Sequence, residues 1–247
     1  MAEFRRFFAD KSCFDNEFGI IEGNEFNHIK KVLRLRAGDE IIVCFNDGVD
    51  NLCEIVEICD KNIKVKIKQS FLNKAENICD VTLFQACMKG DKMDFCVQKA
   101  VELGVNKIIP FENKFTVAKL DGKKTERFSR IAFEASKQCG RAKLTQIFDC
   151  VNFKKMLEML KSFDKVIFCN EHEKQNGFLS ELYKLDFKGK IAVVIGSEGG
   201  FAKEEAEEIK SLTNVLSVSF GNRILRAETA GVFALSVLDS VMAEKNK

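Results

Sequence analysis

The chain has 247 residues, of which 46% are hydrophobic, with ten cysteines and a formal net charge of +2. That length suits one large or two small domains with ample apolar material for a core. The near balance of charge excludes a global field that draws in nucleic acid, so any RNA surface must be a local patch. The opening residues Met1 to Asp10 contain no apolar signal region, so the cysteines are expected to be reduced, buried thiols. No apolar run is long enough to span a membrane, and a soluble cytoplasmic protein is expected. There is no Cys-x-x-Cys pair, and His28 and His172 are the only histidines, so no metal site is expected.

Residues 1–72 read as mostly β. Asn24 is placed to cap a short helix with Phe26, Ile29 and Leu33 on one face, and Gly38 to stop it. Strands follow at 40–45, 52–58 and 63–67, separated by turns at Asn46-Asp47-Gly48 and Asp60-Lys61-Asn62. Asp-Gly between apolar strands is a hairpin signal, and a small barrel or sandwich is the natural outcome. Lys30, Lys31, Arg34 and Arg36 lie on or just after the helix. Lys64, Lys66 and Lys68 alternate with Ile63, Val65 and Ile67 and so share the outer face of one strand. Arg5 and Arg6 stand among Phe4, Phe7 and Phe8. A solvated face accounts for any one lysine run, yet basic clusters this dense in a small β domain also suit an RNA platform.

Beyond a boundary near 70–78, strands and helices alternate. Strands are expected at 81–86, 107–111 and 166–169, and helices from Asp91 to Gly104 and over 126–139 and 153–162. This rhythm predicts an α/β domain with a largely parallel sheet over 73–247. The last helix, 229–244, is apolar on nearly every side and must be covered within the domain or by a second copy; at the chain end, a dimer is expected.

Two glycine-bearing turns mark the candidate site. Ile191–Ile195 runs into Gly196-Ser197-Glu198-Gly199-Gly200, and Val215–Phe220 runs into Gly221-Asn222-Arg223-Ile224-Leu225-Arg226-Ala227-Glu228-Thr229. On successive strands of an α/β sheet, such turns form one crevice at the carboxyl edge. Helix N-termini after glycine turns attract anions. Here, however, Glu198 lies in the turn, Glu204 and Glu205 open the next helix, and no Gly-Lys-Ser/Thr follows. A triphosphate is therefore disfavoured, and a neutral or cationic ligand held close to backbone fits better; the sulfonium of S-adenosylmethionine is one such group.

The motifs Arg5-Arg6-Phe7-Phe8, His28 to Asp39, Lys89-Gly90-Asp91-Lys92-Met93-Asp94, Gln138-Cys139-Gly140-Arg141, Ile195 to Phe201 and Arg223 to Ala230 run almost the length of the chain. In this the sequence resembles the RsmE family, the bacterial 16S rRNA (uracil-N3)-methyltransferases of the SPOUT superfamily. The resemblance implies a PUA-like β-barrel over residues 1–72, a SPOUT-type α/β domain with a trefoil knot over 73–247, a homodimer, 16S rRNA of the small subunit as substrate and S-adenosylmethionine as cofactor. It implies cofactor contacts from Asn170, Gly196, Ser197, Glu198, Gly199, Gly200, Phe220, Gly221, Ile224, Leu225, Arg226 and Thr229, and RNA contacts from Arg5, Arg6, Lys30, Arg34, Arg36, Lys89 and Arg141. Ser197 and Asn222 stand where the family usually or often has proline, and Cys139 where serine is common.

Uracil N3 lies on the pairing edge, so the base must be unpaired or splayed out. Its proton must leave, and the charge that spreads onto the flanking carbonyls calls for a guanidinium. Arg226 is the candidate, with Glu228 or Glu198 as proton acceptor or as the carboxylate that orients it. A structural Arg226–Glu228 pair is the plain alternative, and both histidines read as structural or surface residues. The rival functions are a SPOUT ribose 2′-O-methyltransferase and a non-enzymatic RNA-binding ribosome-assembly factor.

Overall fold

The computed structural model describes residues 4–245. The chain divides into two compact units: one holds residues up to Glu76 together with Ser136–Leu144, and the other holds Asn77–Ala135 and the chain from Thr145 onward.

The first unit contains β1 (Arg6–Phe8), β2 (Phe18–Ile21), a short helix α1 (Gly23–Asn27), β3 (Glu40–Cys44), β4 (Val49–Ile58) and β5 (Ile63–Leu72). They form a five-stranded sheet in the order β1-β3-β4-β5-β2, antiparallel except where β1 pairs with β3. Alternation along β5 puts Ile63 and Val65 in the core with Phe7, Ile21, Ile29, Ile41, Val43 and Ile55, while Lys64, Lys66 and Lys68 face outward. Burying each such aliphatic side chain contributes about 1.5–3 kcal/mol.

Several details depart from the sequence reading. The helix is entered from Glu22, extended and without a side-chain cap, so Asn24 lies inside it. It continues as a π turn over His28–Leu33 and ends at Arg34, whose φ of 53° is left-handed; Gly38 comes later, at φ 92°. An exposed arginine rather than a glycine therefore carries the stop. Strands β1 and β2 were not foreseen, and β4 and β5 are each longer than expected.

The second unit contains β6 (Asp80–Ala86), α2 (Lys92–Glu102), β7 (Lys107–Glu112), α3 (Gly122–Gln138), β8 (Gln146–Ile147), β9 (Val151–Asn152), α4 (Phe153–Leu160), β10 (Lys165–Cys169), α5 (Phe178–Lys184), β11 (Lys190–Ile195), α6 (Lys203–Lys210), β12 (Val215–Val218) and α7 (Ala227–Lys245). The last turn of α3 belongs to the first unit. All pairings in this sheet are parallel, in the order β12-β10-β11-β6-β7-β8 with β9 also on β7. Ile191–Ile195 is buried throughout, as a strand covered on both faces must be.

The two loop-bearing strands, β11 and β12, are successive in the chain but not neighbours in the sheet. β10 lies between them and pairs with both. Val166, Ile167 and Phe168 are each fully buried, which suits that strand to a central place. Helix α7 packs on α2, where a Cβ on Gly231 would stand 3.0 Å from Gln85 Oε1 and 3.5 Å from Cys96 Sγ; glycine there lets the helix approach β6 closely.

Candidate active site

Because β10, β11 and β12 are parallel, their carboxyl ends lie on one edge of the sheet. The Gly196–Gly200 turn leaves β11, Asn170 follows β10, and the Gly221–Arg226 turn follows β12. Asn170 is thus brought between the two loops by the strand order.

The first loop is tied down at several points. Gly200 N–H donates to Ser197 O at 2.9 Å, in a turn closed by φ 68° at Gly200. Gln85 Nε2 donates to Gly196 O at 3.4 Å, Asn113 Nδ2 donates to Gly200 O at 2.7 Å, and Phe201 N–H donates to Glu171 Oε1 at 3.3 Å. Ser197, in the usual proline position, is buried and its hydroxyl donates to Gly200 O at 3.4 Å. A Cβ on Gly196 would meet Phe201 Cε2 at 2.9 Å, and one on Gly200 would collide with the Glu171 carboxylate. At the entry to α6, Glu205 is buried and accepts from Ala202 N–H at 3.0 Å and Lys114 N–H at 2.8 Å, so it caps the helix rather than facing the crevice.

The second loop is more open. Phe220 sets its ring edge against Phe178 and Phe233, with centroids 5.1 and 5.0 Å away. Gly221 has φ 94° and nothing within 4 Å of an added Cβ. Ile224 is 89% exposed and Leu225 half-buried. Arg226 caps α7, its carbonyl accepting from Ala230 N–H at 2.8 Å, and Thr229 is exposed in the first turn. The Arg226 guanidinium is exposed and makes no ion pair or side-chain hydrogen bond among the described residues. No Arg226–Glu228 pair forms. Asn170 is buried; its N–H donates to Val218 O at 3.2 Å and its Oδ1 accepts from His172 N–H at 3.1 Å, leaving Nδ2 without a partner among the described residues.

The carboxylates suggested for proton transfer meet a residue that sequence reasoning left without a role. Lys92 Nζ lies 3.3 Å from Glu198 Oε1 and 3.7 Å from Glu228 Oε2. Burial works against the charge on Glu198, but its own backbone N–H, Lys92 and the Lys89 N–H outweigh it, so the carboxyl sits below its usual range. Glu228 Oε2 is buried and without a hydrogen bond. Gln85, Asn113, Glu171 and Lys92 were all missed as parts of the site; a fully buried glutamine in the apolar strand β6 was the one local signal.

The residues expected to hold RNA fall into two groups. Arg5, Arg34, Arg36 and Lys89 are exposed. Lys30 is half-buried, donating to Cys59 O at 2.8 Å over the Phe26 ring. Arg6 instead pairs with Asp50, with one contact at 2.9 Å, and Arg141 is 1% exposed and bound to Glu76 at 3.0 Å. For these two, burial in ion pairs corrects the expectation of a guanidinium offered to phosphate. Lys66 and Lys68 pair with Glu17, Glu40 and Glu54, so their strand is a solvated face. His28 Nδ1 lies 3.2 Å from Lys137 Nζ, which also bonds Glu25. His172 is a surface residue. None of the ten cysteines forms a disulfide, though Cys13 is exposed and Cys59, Cys139 and Cys150 only partly buried. No helix among the described residues is long and apolar enough to cross a membrane.

Comparison with known proteins finds two family models along the chain. The family model for an RNA methyltransferase domain matches residues 75–239, and that for an RNA methyltransferase PUA domain matches 21–68. Fold and loops thus define an RNA methyltransferase domain preceded by a PUA domain. The chain is 32% identical over 226 residues to the ribosomal RNA small subunit methyltransferase E of Bacillus subtilis, covering 88% of each chain. It superimposes on the crystal structure of a hypothetical protein with a TM-score of 0.87 at 30% identity, covering 98% of this chain and 100% of that one. A Legionella pneumophila protein solved with the bound cofactor S-adenosylmethionine gives a TM-score of 0.81 at 26% identity, covering 97% and 98%. The chain belongs to the ribosomal RNA small subunit methyltransferase E family.

Proposed function

We propose that this protein transfers a methyl group from S-adenosylmethionine to N3 of a uracil in 16S rRNA of the small ribosomal subunit, acting in the cytoplasm as a homodimer. The observation that carries the reading is the exposed, unpaired guanidinium of Arg226 on the loop after β12, with the glycine turn after β11 on the same sheet edge. The residues fit the cofactor. Asn170 offers a carboxamide Nδ2 without a partner among the described residues, Gly221 leaves room for close backbone approach, and Glu198 and Glu171 supply negative charge suited to a cation. When bound, the cofactor supplies an electrophilic methyl on a sulfonium.

This chain's residues then have distinct tasks. Arg226 stabilises charge on the uracil carbonyls as the N3 proton leaves, and Glu198 or Glu228 receives that proton. Arg5, Arg34, Arg36 and Lys30 of the first unit, with Lys89, hold phosphates, in keeping with a PUA-like RNA-binding domain over 1–72 and a SPOUT domain over 73–247. We further propose that the loops are threaded as the trefoil knot of SPOUT proteins, supported by the entry of β11 between β6 and β10. A groove of about 770 Å³ between α5 and α7, lined by Phe178, Phe220, Phe233 and Val237 and reaching Gly221, supports the homodimer. Incubating the protein with methyl-labelled S-adenosylmethionine and unmodified small subunits, then digesting the RNA to nucleosides, tests the reading. 3-Methyluridine is expected; a ribose-methylated nucleoside, or no product, would overturn it.

A further inference from the structure

We infer that Lys92 is a positioning residue for the proposed methyl transfer: its ammonium fastens the Gly196–Gly200 loop to the first turn of α7 through Glu198 and Glu228. The inference rests on reading the two loops as the cofactor site. Lys92 opens α2, Glu198 lies in the loop after β11, and Glu228 is in the first turn of α7, so segments remote in sequence meet at one nitrogen. The side chain of Glu228 is 15% exposed, and Lys92 is the one cation within ion-pair distance of it among the described residues. The thiol of Cys96 is the other titratable group facing it. Glu198 has Lys92 as its cation and the Lys89 N–H at 3.5 Å.

Two carboxylates against one ammonium make a cluster that repels itself once the ammonium is removed. Arg226 precedes Glu228 by two residues and caps the same turn, so displacing Glu228 also displaces the backbone that carries the unpaired guanidinium. Lys92 thus acts through the loop and through Arg226, without touching the base. The Lys92 side chain is 37% exposed, so its replacement leaves no packing void of consequence.

The test is calorimetric titration of S-adenosylmethionine into the full-length protein from about pH 3.5 to about pH 8, using wild type, Lys92→Met, Lys92→Arg and Lys92→Met combined with Glu228→Gln. Loss of one charge-assisted tether predicts about ten- to a hundredfold weaker binding by Lys92→Met. The acid limb of the affinity profile should also move to higher pH, because Glu198 loses one of the groups that hold its carboxyl low. Lys92→Arg should restore both affinity and profile. The double variant should recover part of the loss, since the repulsion is gone. Wild-type affinity and an unmoved acid limb in Lys92→Met would overturn the inference, as would a Lys92→Arg variant no better than Lys92→Met. Failure of the wild type itself to bind would instead overturn the cofactor reading.

Discussion

Replacing Glu76 with alanine is the sharpest test of how the first unit is held together. The Glu76 carboxylate accepts from Arg141 Nη2 at 3.0 Å, Ala142 N–H at 3.0 Å and Lys143 N–H at 2.8 Å. The two side chains of the ion pair are 2% and 9% exposed, so solvent cannot take over when one partner goes. Breaking a buried pair from one side costs about 3–5 kcal/mol, most of it the unmatched charge. Arg141→Met should cost less, because the carboxylate keeps its two backbone donors. The chain has one tyrosine and no tryptophan, and Tyr183 lies in the other unit, so fluorescence would miss the event. Hydrogen exchange followed by mass spectrometry across 136–144 reads it directly: the amides of Ala142 and Lys143 should exchange about a hundredfold faster or more in Glu76→Ala. Arg141→Met should leave the salt dependence of RNA binding unchanged. Protection equal to wild type in Glu76→Ala, or a flattened salt slope in Arg141→Met, would refute the structural role of the pair.

Other outcomes follow from the same geometry. Phe233 is 39% exposed in the α5–α7 groove, so Phe233→Asp should give a monomer by sedimentation, and a wild-type monomer at micromolar concentration would remove the dimer. Arg34→Ala should weaken RNA binding and lower the salt slope by about 1 with little change in saturated single-turnover rate. Arg226→Ala should do the reverse, and a wild-type rate there would return that residue to a structural role. Gly196→Val should lose cofactor binding by pushing against Phe201, while Gly221→Val should cost about 1–2 kcal/mol of backbone strain and be the milder change; wild-type affinity in both by calorimetry would contradict the two-loop site. Burial pushes Cys44, Cys53 and Cys96 up to about 12. At mildly alkaline pH an aromatic disulfide reagent should therefore modify exposed Cys13 first and reach those three only on unfolding.

Much of the fold was legible because it is written locally. Apolar runs such as Ile191–Ile195 and the spacing of Met93, Val97, Ala100 and Val101 report burial directly, and Gly104 ends α2 at φ 78° as a glycine should. Strands β1 and β2, of three and four residues, carry too little periodicity to stand out. The left-handed stop at Arg34 has no glycine or asparagine to signal it. The glycine loops were legible as a site; their true neighbours were not. Strand β10 enters between β11 and β12 by tertiary pairing, and Lys92 meets Glu198 across 106 residues, a relation no window of sequence contains. Arg6 and Arg141 misled for the same reason: their partners Asp50 and Glu76 lie 44 and 65 residues away.

The discontinuity of the first unit bears on synthesis. Its strands are complete once Leu72 has been made, but Ser136–Leu144 belongs to the same body and supplies the guanidinium that Glu76 awaits and the ammonium that Glu25 awaits. On the ribosome, that unit therefore cannot close until about 60 further residues have emerged, several seconds at ordinary elongation rates. During this interval β6, α2 and β7 of the other unit are already outside the tunnel, so the two bodies are obliged to mature together. A fragment ending at residue 72 would carry the whole five-stranded sheet yet lack its closing segment. Excising this RNA-binding body as a stand-alone module needs residues 136–144 grafted back after Glu76.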